Sequence, residues 1–253
     1  MRLLALLAAA LLLTLCARSA SPLMIAVEPD PAFRAQQQQY PRVRDAYALH
    51  EANLHALLRR NGIQAGRLEL YLRAFKVGRR LEAWGREQGT GEFVLLRTYA
   101  LAGTSGSLGP KHQAGDKQVP EGFYMINRFN PASNYHLSLG LDYPNAADLR
   151  HAAPDPGGDI FIHGSNVTVG CLPITDAGIR ELYVLAVEAR SAGQTDIAVH
   201  IFPFEMTAEN LARRVASPHL GFWQGLVAGY QYFEDHHQLP TMHVDAHGAY
   251  AVE

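Results

Sequence analysis

One stretch constrains the fold of this chain more than any other. From Asp159 it reads Asp-Ile-Phe-Ile-His-Gly-Ser-Asn-Val-Thr-Val-Gly-Cys-Leu-Pro-Ile-Thr-Asp, ending at Asp176. Ile160 to Ile162 form a compact apolar run with the look of a buried strand. A loop of small residues follows and ends at Cys171. A helix comes next, capped at Thr175 or Asp176, with Ile179, Leu182, Tyr183, Ala186 and Val187 on its apolar face.

The rest of the chain supplies most of its strands before this unit, further strands after it, and helices on both sides. Val43, Tyr47, Leu54, Leu57 and Leu58 fall at helical spacings, and Asn61-Gly62 stops that helix. Arg42, Arg44, Arg59 and Arg60 read as its solvated face. Leu68, Leu70 and Leu72 alternate with charged or bulky residues, and Val77-Gly78 turns the chain back through Leu81 to Trp84, a hairpin. Phe93 to Leu101, Phe123 to Asn127, Tyr135 to Leu141 and Ile197 to Ile201 are further strands. Residues 103–115 form a long glycine-rich loop, and a loop of that length tends to serve function. Two helices, about 207–215 and 220–233, precede a tail at 242–252 that reads as a closing strand. The simplest account is one mixed α+β domain with a strand-rich centre, spanning 40–253, after an irregular, flexible lead-in at 20–39.

Met1-Arg2 and the apolar run Leu3 to Ala17 read as a secretory signal, 1–19, cut after Ser19. The run is short for a membrane span. A lipid anchor on Cys16 is disfavoured by Leu15, where a small residue is expected. Removal of the leader leaves Cys171 as the single thiol in an oxidising compartment, either a buried bystander or a nucleophile. With 22 Lys and Arg against 24 Asp and Glu, the chain has no basic excess to hold a nucleic-acid backbone.

A thiolate attacks carbonyls and a thiol barely does, so such a site must lower the thiol pKa or supply a base. His163 can be that base if the loop folds back. The helix start near Thr175 adds a positive field. Gly170 permits close backbone approach, and its N–H and that of Cys171 are natural donors to an oxyanion.

The segment resembles the active-site motif of YkuD-type L,D-transpeptidases, with His163-Gly164 followed by Thr168-Val169-Gly170-Cys171. Further blocks resemble the murein, YafK-like branch: Gly109-Pro110-Lys111, Gly115 to Tyr124, Tyr143-Pro144-Asn145-Ala146 and His200 to Phe204. The resemblance covers about residues 65–235. It implies a mostly β, sandwich-like catalytic domain with flanking helices, and a periplasmic enzyme acting on peptidoglycan stem peptides. It implies Cys171 as nucleophile, His163 as base, Gly170 and Cys171 as oxyanion donors, and Gly164 and Thr168 as shapers of the loop. The thioester would be resolved by an amine of a second stem peptide, a lysine of an outer-membrane lipoprotein, a D-amino acid or water. No metal or organic cofactor is implied. Two departures stand out: Pro173 where most members have an arginine, and Val169 where many have a histidine. They leave hydrolysis of a cross-link or of a protein–peptidoglycan link as the rival to transpeptidation, with a non-catalytic peptidoglycan-binding module as the reading from another class, against which the intact His163, Thr168, Gly170 and Cys171 set stands.

His136, Lys111, Tyr143 and Tyr124 are candidate substrate contacts. Against these stand a structural histidine, solvated loop charge (shared by Asp116 and Lys117) and packed tyrosines. His243, Asp245 and His247 would share one face of a strand, but their spacing matches no established zinc pattern, so they read as a polar edge. Ser105 and Ser107 lack serine-hydrolase context.

Overall fold

The computed structural model describes residues 28–253. The leader and Cys16 lie outside the described residues. In chain order the elements are α1 (Pro31–Gln37), α2 (Pro41–Arg60), β1 (Leu68–Phe75), β2 (Arg80–Glu87), β3 (Val94–Ala100), β4 (Gly122–Asn130), β5 (Ser138–Leu141), α3 (Ala146–His151), β6 (Phe161–His163), β7 (Leu172–Pro173), α4 (Thr175–Ser191), β8 (Ala198–Phe202), α5 (Ala208–Ala212), α6 (Leu220–His236), β9 (Met242–Val244) and β10 (Tyr250–Val252).

The expected sandwich-like curl is one continuous sheet in the order β3-β2-β1-β8-β4-β5-β6-β7. Its corner is β4. Gly122 to Met125 pair with β8, Ile126 to Asn130 pair with β5, and the register shifts between Ile126 and Arg128. Such an irregularity bends a strand and strengthens its twist. The curl wraps α4, whose residues from Leu182 to Ala189 are all buried.

The alternation along β1 has a simple cause. Leu68, Leu70, Leu72 and Ala74 face the core around α4, while Phe75 faces a second core with Trp223 and Tyr230 of α6. Tyr71 joins Phe93 and Phe233 in a third cluster on that side. The strand is therefore covered on both faces, and its charged Arg73 is buried between Glu82 and Glu234.

Two expectations are corrected here. The lead-in is ordered from residue 31: Asp30 accepts from the Phe33 N–H, Pro31 opens α1, and Gln37 accepts a 2.7 Å bond from the Tyr183 hydroxyl of α4. Phe33 also packs edge-on to Phe129, with ring centroids 5.0 Å apart. These tertiary contacts organise a segment too short to show a helical period. The tail does not close the main sheet. It is a separate β9–β10 hairpin beside α6, turned by Asp245, whose carboxylate accepts from His247 and Ala249 N–H groups. His243, Asp245 and His247 thus share no strand face, and His243 pairs with Glu253 at 3.0 Å.

Candidate active site

The parallel pairing of β6 and β7 sets the site. Ile162 lies opposite Leu172 and His163 opposite Pro173. Ile162 and Leu172 point into the α4 core. Side chains alternate along a strand, so Phe161, His163 and Cys171 project to the other face. Register, rather than a long folded-back loop, brings the histidine and the cysteine to one side.

His163 is buried at 2% exposure, and the Tyr135 ring packs on it at 4.6 Å. Its Nδ1 lies 2.6 Å from the Gly164 carbonyl oxygen. A carbonyl only accepts, so Nδ1 carries the proton and Nε2 keeps its lone pair. Burial pushes the His163 pKa down, opposed by the bond to Gly164. The Cys171 thiol is half-buried and donates a long 3.6 Å bond to the Asp159 carbonyl. Burial pushes its pKa up; the Phe161 N–H pulls it down, the Asp159 charge raises it and the Lys111 charge lowers it. Imidazole and thiol are therefore both neutral at neutral pH. The arrangement favours base-assisted attack over a standing thiolate.

The loop between them is held tightly. The Thr168 hydroxyl accepts from the Cys171 N–H at 2.9 Å and donates to the Cys171 carbonyl at 2.9 Å. Gly170 sits at φ +87°, and its N–H donates to the Ser105 hydroxyl at 2.7 Å. Both amides expected to serve an oxyanion are thus already bonded to hydroxyls. The expected cap at Thr175 or Asp176 is corrected: Ile174 holds the N-cap position of α4 with no side-chain cap bond, Thr175 is the first helical residue and its hydroxyl accepts from the Gly178 N–H at 3.3 Å, while Asp176 turns back to accept from the Ser165 N–H at 2.7 Å.

Gly164 is required by space. A Cβ there would lie 2.5 Å from an Asp176 carboxylate oxygen and 2.6 Å from the Tyr135 carbonyl. Gly164→Ala is expected to destabilise the fold by about 2 kcal/mol through overpacking, read as a lower urea midpoint with unchanged slope.

The four candidate substrate contacts line neither of the cavities at the thiol. Tyr124 and Tyr143 are buried; their hydroxyls donate to Asp148 and to the Pro156 carbonyl. Lys111 is buried and spent on Asp116 at 2.6 Å and the Gln113 carbonyl at 2.7 Å. His136 lines a different, open cleft with Asp176, and Arg42, expected to be merely solvated, donates to its carbonyl at 2.7 Å. Cys171 instead stands between two cavities. One, of about 280 Å³, is shared with His163, Tyr135, Asn134 and Asp159. The other, of about 270 Å³, is shared with Arg79, Lys76 and Ser105. Sequence reasoning missed Arg79, Ser105 and Tyr135; the only signal was the glycine-rich character of the loop carrying Ser105.

Residues 78–198 match the model of the L,D-transpeptidase catalytic domain, YkuD. The chain is 37% identical over 186 residues to YafK of Escherichia coli (strain K12), a protein whose name places it among the L,D-transpeptidases; the match covers 72% of this chain and 73% of that protein. Among solved structures it is similar to the K307A mutant of the helical cell shape determining protein Pgp2 from Campylobacter jejuni, at 21% identity and TM-score 0.42, covering 64% of this chain and 56% of that one. It is also similar to Bd1075 of Bdellovibrio bacteriovorus, at 19% identity and TM-score 0.39, covering 65% and 62%. With one relative matched across most of both chains, and the catalytic-domain match running through the strands that present His163 and Cys171, this chain belongs to the YkuD L,D-transpeptidase family.

Proposed function

We propose that this chain transfers acyl groups on peptidoglycan stem peptides through a thioester on Cys171. The observation that carries the reading is the position of Cys171 between two cavities, with His163, whose Nδ1 is bonded and whose Nε2 keeps its lone pair, lining one of them. An acyl transfer needs a nucleophile reached by two substrates in turn.

His163 Nε2 takes the thiol proton as sulfur bonds to the amide carbonyl carbon. The Gly170 and Cys171 N–H groups pass from the Ser105 and Thr168 hydroxyls to the developing oxyanion. The C–N bond then breaks and the imidazolium protonates the leaving amine. An amine from a second stem peptide or a lipoprotein lysine attacks the thioester, His163 removes its proton, and Cys171 departs and is reprotonated. The N-terminal leader sends the chain to the periplasm, where both substrates are exposed.

The test is incubation of the purified protein with defined muropeptides, followed by mass spectrometry. New cross-linked masses, or exchange of a labelled D-amino acid, are expected. Cleavage with no amine incorporated makes it a hydrolase, and no change in any muropeptide overturns the reading.

The pH profile follows from the neutral pair. Protonating His163 removes the base, so kcat/KM falls as pH falls, with a midpoint below the ordinary imidazole value of about 6.5. The raised thiol gives the opposite limb. The rate of Cys171 alkylation by iodoacetamide keeps climbing past the ordinary thiol value of about 8.5 instead of levelling near neutrality.

A further inference from the structure

We propose that the cavity on the Arg79 side of Cys171 is a subsite for a free carboxylate of the peptide substrate, with Arg79 as its recognition group. This deepens the acyl-transfer reading and rests on it for the identity of the substrate.

Two cations line this cavity, and no carboxylate does. Lys76 is not available to a ligand. Its ammonium contacts Glu121 at 2.8 Å, the Val119 carbonyl at 3.0 Å and the Gly109 carbonyl at 3.2 Å, which accounts for its three protons. Arg79 is different. One of its nitrogens donates to the Leu101 carbonyl at 3.1 Å, and among the described residues no carboxylate oxygen lies within 4.0 Å of its guanidinium. A guanidinium has five donors in a planar fork shaped for a carboxylate.

The backbone holds this charge in place. Arg79 follows Gly78 in the β1–β2 turn and sits at φ +49°, a left-handed conformation that costs a non-glycine residue stability. Its carbonyl accepts from the Leu101 N–H at 2.8 Å, so main chain and side chain clasp the same residue. Glycine would fill this turn position without strain. The residue at this turn position is an arginine that lines the cavity holding the thiol, which is what anion recognition requires. Thr104 and Ser105 add hydroxyls to the wall, suited to the rest of a carboxylate's hydrogen bonds. The cavity on the other side of Cys171 is lined by Asp159, which is paired with Arg128 at 2.9 Å, so the cation without a carboxylate partner stands on the Arg79 side of the thiol.

The experiment compares two small alkylating agents of nearly equal size, iodoacetate and iodoacetamide, on the full chain. Modification is read by mass spectrometry of the Cys171 peptide, so the other cysteine does not interfere. The quantity is the ratio of the iodoacetate to the iodoacetamide rate. Arg79→Gln and Arg79→Gly are each expected to lower it about five-fold, the scale of one charge at a partly solvated site, and Arg79→Lys to lower it less. Arg79→Gly should also melt no lower than the parent, since glycine accepts the turn conformation, which keeps the result free of folding defects. A ratio unchanged in both Arg79→Gln and Arg79→Gly overturns the proposal. The ratio needs no turnover. A fall in it alongside a parent protein inert toward muropeptides leaves the subsite standing and removes the acyl-transfer reading. With an active parent, KM for an acid-terminated peptide should rise about five-fold in Arg79→Gln, and that for its C-terminal amide should not.

Discussion

Cys171→Ala is expected to lower muropeptide turnover by at least about 10⁴-fold while leaving the far-ultraviolet circular dichroism of the parent intact. Removing a nucleophile leaves only binding and oxyanion stabilisation, which act on water as a poor substitute. The fold should survive because the side chain is half-buried at the cavity wall and makes one long bond through its sulfur, 3.6 Å to the Asp159 carbonyl. The main-chain bonds that shape the turn, from Cys171 N–H and to its carbonyl, belong to Thr168 and persist with alanine. His163→Ala should cost nearly as much, because the thiol is held in its protonated form by burial and His163 is the imidazole that shares its cavity. The double variant should be no slower than Cys171→Ala alone. Residues that act as one unit lose their effect once, and near-additive losses would show that the two side chains do not work together. Turnover persisting in Cys171→Ala would remove the thioester reading outright.

What could be seen in the sequence, and what could not, follows from the range of the interactions involved. The strand, loop and helix from Ile160 to Val187 were legible because period and capping are local. Cys171 and His163 were legible as a pair from the motif, and the β6–β7 register shows why seven intervening residues suffice. The second wall of the site was not legible. Ser105 reaches the Gly170 N–H across 65 positions, and Arg79 comes from a hairpin turn far from the thiol in sequence. Nothing local distinguishes that serine from Ser107, or that arginine from Arg80, which lies against Glu82 and Glu205 instead. Lys111, Tyr124 and Tyr143, the candidate substrate contacts, show the converse: each is buried and holds partners within the protein. They stand in recognisable blocks, but burial and their own partners decide their role, and both depend on tertiary packing. Arg42 shows the same limit on a helix: exposed by period, it reaches across to the Ser133 and His136 carbonyls.

Glu121→Ala should lose about 3–5 kcal/mol of stability, read as a fall in the urea midpoint. Glu121 is fully buried. Its carboxylate accepts from Lys76, from the Gly109 N–H and from the Trp223 indole N–H, each at 2.8 Å. It therefore joins the end of β1, the glycine-rich loop and α6 at one point. Alanine leaves the Lys76 ammonium buried without its counter-charge and orphans two N–H donors, and the cost of unpaired buried groups exceeds the worth of the pair. Glu121→Gln keeps acceptor capacity but not the charge and should lose less. Lys76→Met combined with Glu121→Ala should recover part of the loss, because the stranded charge is then gone. The same loop carries Ser105 onto Gly170, so the single variant should also lose kcat under conditions where it remains folded. If Lys76→Met restores stability but not kcat, the carboxylate's second role is to hold the loop that shapes the Cys171 turn, and the ion pair and the site register are separable.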